Sequence, residues 1–181
     1  MGLESVEIIV EIEHCFGIEI SDSESVKMYT VGELTNYIWN SIEHKEVENC
    51  LTQILFFRLR KFFCQQFSFN YERFKPDTCI SEFATKKTSK RLSENLKDDL
   101  KLNIPTLYTG GGILFFFESE SDTILDLIDG IIRLNIKFLE NAHGINQGVV
   151  YAVVASIIHE VLGVSRMDIV PTARFNEDLG L

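Results

Sequence analysis

The chain of 181 residues carries 27 acidic against 17 basic side chains, a net charge of −10. That balance argues against nucleic acid as a partner, whose binding rests on neutralising phosphates. With 45% hydrophobic residues, the chain can build one sizeable core or two small ones.

Four cysteines, Cys15, Cys50, Cys64 and Cys79, show no C-x-x-C spacing and follow no secretory leader. This is the pattern of a reducing, cytoplasmic setting. His14, His44, His143 and His159 form no ligand spacing, so no metal site is expected. The apolar runs 113–117 and 149–156 are too short to span a bilayer.

In chain order, Gly2 and Ser5 precede or open an amphipathic helix to about Phe16, with Ser5 in the position of an N-cap. Val6, Ile8, Ile9, Ile12 and Phe16 supply its apolar face, while Glu4, Glu7 and Glu11 fall on another. Residues 18–22 read as a loop, with Asp22 or Ser23 capping a short turn. Thr30 caps a helix from Val31 to about Ile42, buried through Val31, Leu34, Ile38 and Trp39. Residues 43–48 form a charged connector.

A helix over 51–66 places Leu51, Ile54, Leu55, Leu59, Phe62 and Phe63 at core spacing, with Arg58, Arg60 and Lys61 between them. Its composition is open to two readings, a basic membrane-surface helix or an ordinary packed face, and single amphipathic helices favour the second. Ser89 caps a helix to Leu100 with Leu92, Leu96 and Leu100 along one side. The glycines at 110–112 lack the G-K-S/T ending of a P-loop and read as a loop. A further helix runs from Ile124 to about Leu139, with Gly130 as a point of interruption, and 142–147 is a linker. The last helix, 149–162, is apolar over more than one face and requires a partner; Gly163 stops it.

Gly-Leu-Glu-Ser-Val-Glu at 2–7, Phe-Gly-Ile-Glu-Ile at 16–20, Thr-Val-Gly-Glu-Leu at 30–34 and Tyr37-Ile38 together resemble the second to fourth helices of the acyl carrier protein family. In that family a serine between an acidic and an aliphatic residue carries 4'-phosphopantetheine. Ser5 holds that place, with Glu4 where the family has aspartate. The tail, 149–180, resembles the family's first helix and first loop, the part that normally precedes the serine.

The same landmarks recur in the middle of the chain. Val164, Ile169, Pro171 and Phe175 are spaced as Phe69, Phe74, Pro76 and Ile80. Ser5, Ile8, Ile12, Phe16, Ile18 and Ile20 are spaced as Ser89, Leu92, Leu96, Leu100, Leu102 and Ile104. Residues 30–38 match 123–131. The expectation is therefore an all-α protein of two small acyl-carrier-like bundles. One occupies 51–139; the other is assembled from 1–48, as helices II to IV, and 147–181, as helix I and its loop. It is either circularly permuted within a monomer or completed between molecules, as a domain-swapped dimer or an open chain of protomers. Gly2-Leu3 also repeats Gly180-Leu181.

The resemblance implies a carrier, not an enzyme. Ser5 would hold phosphopantetheine from coenzyme A, delivered by a phosphopantetheinyl transferase, with an acyl group as thioester on its terminal thiol, as in lipid or polyketide biosynthesis. Glu4, Glu7, Glu11 and Asp178 would recognise transferase and acyl-transferring enzymes with basic docking surfaces. Around Ser89 stand Lys86, Lys87, Lys90 and Arg91, so the middle copy reads as unmodified. The alternative function is a carrier-like scaffold without any prosthetic group. Cys15 beside His14 makes no catalytic pair, since successive helix residues diverge.

Overall fold

The computed structural model describes residues 2–43, 50–107 and 122–181. The protein is all-helical: α1 Leu3–Phe16, α2 Asp22–Ser25, α3 Val31–Ser41, α4 Leu51–Phe67, α5 Ser89–Leu100, α6 Ile124–His143 and α7 Gln147–Leu162. A short 3-10 turn covers Ile80–Glu82. Two isolated antiparallel bridges, Thr30 with Arg174 and Cys79 with Thr123, are the extended pairings among the described residues. The expected connector at 43–48 and the glycine loop at 110–112 fall, Glu43 apart, outside those residues.

The chain divides into two compact units, one from residues 1–50 and 136–181, the other from 51–135. In the first, α7 packs against both α1 and α3. Val149, Val150, Val153, Val154, Ile157 and Ile158 of α7 are buried, as are Ile8 and Ile12 of α1 and Val31, Leu34 and Ile38 of α3. Each buried aliphatic side chain stabilises by roughly 1.5–3 kcal/mol. The six on α7 together rival the entire net stability of a small domain, about 5–15 kcal/mol, so α7 is the spine of this unit.

The second unit is centred on Phe63, which is fully buried at the end of α4. Its ring lies 4.3 Å from that of Phe83 and 5.7 Å from that of Phe74, centroid to centroid. Tilted and edge-on pairs of this kind add to area burial. Leu92, Leu96 and Leu100 of α5 and Ile124, Leu127, Ile128 and Ile131 of α6 complete the core.

One set of hydrogen bonds occurs in both units. In the first, Phe175 N donates to Tyr29 O at 3.0 Å, Val31 N to Ala173 O at 3.1 Å and Gly32 N to Pro171 O at 2.8 Å. In the second, Ile80 N donates to Asp122 O at 2.7 Å, Ile124 N to Thr78 O at 2.9 Å and Leu125 N to Pro76 O at 2.9 Å. These are the partners of the landmark positions aligned above. In both cases they tie the loop before a 3-10 or bridge residue to the start of the helix that Thr30 or Thr123 caps.

Several helix boundaries and faces differ from the sequence reading. The first helix begins at Leu3 with Gly2 as N-cap, so Ser5 sits inside the first turn. Thr88, not Ser89, precedes α5 as N-cap. Ser21 caps α2, its Oγ accepting from Glu24 N at 3.3 Å. Gly130 does not interrupt α6; it lets Pro105 approach, where an added Cβ would stand 3.0 Å from the proline Cγ. The linker before α7 shortens to residues 144–146, with Asn146 capping through its side chain to Val149 N. Val6 and Ile54, apolar at helical spacing, are exposed, and Trp39 is half-buried. Spacing identifies an apolar stripe; it does not say where a neighbouring element stops covering it.

Candidate functional site

Gly2 takes an extended conformation, φ −71° and ψ 172°, and turns the chain into α1. Ser5 follows in the first turn, half-buried, its Oγ donating to Gly2 O at 2.8 Å. The hydroxyl thus serves its own helix start without capping it. Ser5 also lines a cavity of about 710 Å³ whose walls include Ile8, Ile9, Val26, Met28, Leu34 and Phe175. These side chains come from α1, the segment after α2, α3 and the tail, which meet because α7 brings the tail to α1 and α3. The wall is apolar with a polar rim, the arrangement of a small-molecule site.

The rim is built on Arg174. It bridges to Thr30, donates from its backbone N to Asp178 Oδ2 at 2.9 Å and from Nε to the same oxygen at 3.1 Å. Glu177 lies 3.7 Å from the same guanidinium. The Arg174 side chain and backbone amide hold the Asp178 carboxyl below the usual carboxylate range, and Asp178 raises Arg174 in turn. Asp178 is not among the lining residues; it is exposed and engaged with Arg174. Leu181 and Gly2 both line the cavity, so the two ends of the chain border it.

Glu4 and Glu7 are exposed on α1. Glu11, on the same helix, is half-buried and engaged. Glu13, which the sequence reading passed over, accepts from Ile20 N at 2.6 Å and fixes the loop after α1. Glu33 completes a capping box: its carboxylate accepts from Thr30 N at 2.9 Å and Tyr29 N at 2.7 Å, while Thr30 Oγ1 accepts from Glu33 N at 3.2 Å. The amides of Tyr29 and Thr30 hold its carboxyl below the ordinary value. Tyr29 lines the cavity, so this cap also shapes the site. The Thr-x-x-Glu spacing at 30–33 was a readable signal for it, as was the i,i+4 spacing of Arg174 and Asp178 for the rim.

Ser89, which the spacing aligns with Ser5, lies in the second unit. It begins α5, half-buried, and its Oγ donates to Lys86 O at 3.1 Å, the same reach of three residues back that Ser5 makes. Lys86, Lys87, Lys90 and Arg91 around it are all exposed. The acidic charge is concentrated elsewhere. Residues 1–50 and 136–181 hold 16 acidic and 5 basic side chains, a net charge of −11, and residues 51–135 hold 11 and 12, a net charge of +1.

Among the described residues no helix is long and apolar enough to cross a membrane, and no group of three or more His, Cys, Asp and Glu side chains could hold a metal ion. No family model and no solved structure matches the chain. An acyl carrier protein of Rubrobacter xylanophilus is 44% identical over 44 residues, which are 24% of this chain and 51% of that protein. The chain thus spans about half the length of this curated relative, and it contains a region similar to an acyl carrier protein.

Proposed function

We propose that residues 1–50 and 136–181 form an acyl carrier whose attachment residue is Ser5. The observation that carries this reading is the position of Ser5, which lines an apolar-walled cavity of about 710 Å³ within helices that resemble a carrier's. The residues fit a phosphopantetheine group. Ser5 is half-buried at the exposed start of α1 and stands beside a cavity with a largely apolar lining. When bound, that group supplies a terminal thiol on which an acyl group is held as a thioester.

Within the chain, Ser5 contributes the oxygen that would form the phosphate ester as the pyrophosphate bond of coenzyme A breaks and its nucleotide part leaves, and it gives up its hydrogen bond to Gly2 as its proton is lost. Ile8, Ile9, Val26, Met28, Leu34 and Phe175 exclude water from a sheltered chain. Exposed Glu4 and Glu7 steer a phosphopantetheinyl transferase and acyl-transferring or synthase enzymes with basic surfaces. Asp178 acts through Arg174, shaping the rim. The cysteines show no C-x-x-C spacing, which suits a cytoplasmic carrier in lipid or polyketide synthesis.

The middle unit is, in this reading, a second carrier-like bundle that is not modified. The shared hydrogen bonds support its kinship with the first unit, and the four cations around Ser89 disfavour a basic transferase. Intact-mass measurement after co-expression with a phosphopantetheinyl transferase tests the assignment. The chain should gain one phosphopantetheine group, and Ser5→Ala should gain none while Ser89→Ala gains it unchanged. An unmodified wild-type chain would favour the scaffold function instead.

A further inference from the structure

Two helix faces in this protein are apolar, exposed and opposite in charge. On α1, Leu3, Val6 and Val10 are 81%, 46% and 53% exposed. Their spacing of three and then four residues makes them one stripe, and exposed Glu4 and Glu7 flank it. On α4, Ile54 and Phe57 are 41% and 46% exposed and continue into exposed Arg58, Lys61 and Gln65 on the same side. The 17 residues of α4 include three bases and no acid, in a chain with 27 acids. Arg60 adds a cation stacked over Phe57 at 4.8 Å and over exposed Tyr71 at 5.3 Å.

We propose that the exposed face of α4 is a docking surface for α1 of a second copy of this chain. The apolar stripes bury one another, and Arg58 and Lys61 meet Glu4 and Glu7 at the edge, where charge complementarity selects the partner and its register. Like faces repel, which disfavours α1 against α1 and α4 against α4. The pairing of unlike faces is heterologous, α1 of one copy on α4 of another, and a dimer is its first product. Such a pair covers the α1 face that flanks Ser5, so self-association and docking of a modifying enzyme compete. The charge asymmetry between residues 51–135 and the rest of the chain, +1 against −11, favours this partner over a general acidic one, because the chain itself presents the complementary apolar stripe.

Sedimentation velocity of the full-length chain over a concentration series tests the proposal. The wild-type chain should pass from 20.7 kDa to twice that mass. Lys61→Glu with Gln65→Glu, and separately Glu4→Lys with Glu7→Lys, should each weaken association about tenfold or more, the scale of losing close charge pairs across an interface. An equimolar mixture of the two variants should associate again, since native α1 of the first then meets native α4 of the second and reversed α1 of the second meets reversed α4 of the first. Leu3→Ser with Val6→Ser, which alters exposed side chains alone, should also leave a monomer with an unchanged helical circular-dichroism signal. A wild-type chain that stays monomeric at every concentration, association that survives in both charge variants, or a mixture that does not recover would each overturn it. Flotation of a monomeric chain with phosphatidylglycerol vesicles, lost on Lys61→Glu, would assign the α4 face to a lipid surface instead.

Discussion

Lys101 closes α5 in the left-handed backbone region, at φ 57°, as Gly17 closes α1 at φ 68°. The two positions correspond in the spacing that aligns Ser5 with Ser89. The same holds at the ends of α7 and α4, where Gly163 at φ 65° answers Ser68 at φ 54°. These are the two non-glycine residues with positive φ among the described residues, and both stand in the second unit where the first has glycine.

A side chain in that conformation costs roughly 1–2 kcal/mol, and glycine returns about 0.5–1 kcal/mol of it as backbone entropy. Lys101→Gly and Ser68→Gly should therefore each stabilise residues 51–135 by up to about 1 kcal/mol. Urea denaturation followed by hydrogen exchange in α4 and α5 measures it, and a loss of stability would show that the native side chains make contacts that outweigh the strain.

The capping box at Thr30 and Glu33 has a pH signature. Hydrogen bonds from the Tyr29 and Thr30 amides depress the Glu33 carboxyl in the folded chain. Its contribution is present above the ordinary carboxylate value and is lost as pH falls through the depressed one. Glu33→Gln should be less stable than wild type at neutral pH, and the difference should narrow on acidification below about pH 4–5, where the unfolded carboxylate also protonates. Thr30→Ala should cost about 0.5–2 kcal/mol, the range for losing a side-chain cap. A stability difference for Glu33→Gln that does not change with pH would place its effect outside these hydrogen bonds.

Glu4 and Glu7, both exposed, should govern the rate of modification at Ser5 through steering. Reversing both to Lys should slow phosphopantetheine transfer, and the deficit should shrink as salt rises, because surface charge is screened over about 8 Å at physiological ionic strength. Glu11→Gln, at a half-buried and engaged position, should affect stability before it affects rate. A deficit for the reversed pair that is independent of salt would mean these glutamates act through contacts within the fold.

The dependence of α1 on α7 is testable at one side chain. Ile157 is fully buried in α7, and Ile157→Ala should cost about 2–5 kcal/mol through lost burial and the cavity left behind. Hydrogen exchange should quicken across residues 3–16 and 31–41, which pack on α7, and stay near wild type across 51–67. Uniform quickening over the whole chain would instead show that the two units unfold as one.

The helical class, the segments that carry it and the need of 149–162 for a partner are legible in the sequence, because helical periodicity and a many-sided apolar surface are properties of a segment by itself. So is Ser5 as the candidate residue, through its acidic and aliphatic neighbours. Which apolar side chains stay outside is not legible: Val6 and Val10 share their helix with buried Ile8 and Ile12, and Ile54 shares its helix with buried Leu55. Exposure depends on how far the neighbouring elements reach, and no local spacing encodes that. The cavity beside Ser5 exists only where α1, α3 and the tail converge, and its rim depends on Arg174 bridging to Thr30 from the far end of the chain. Tertiary packing decides such contacts, since they join residues that share no segment and become neighbours only when α7 is buried against α1 and α3.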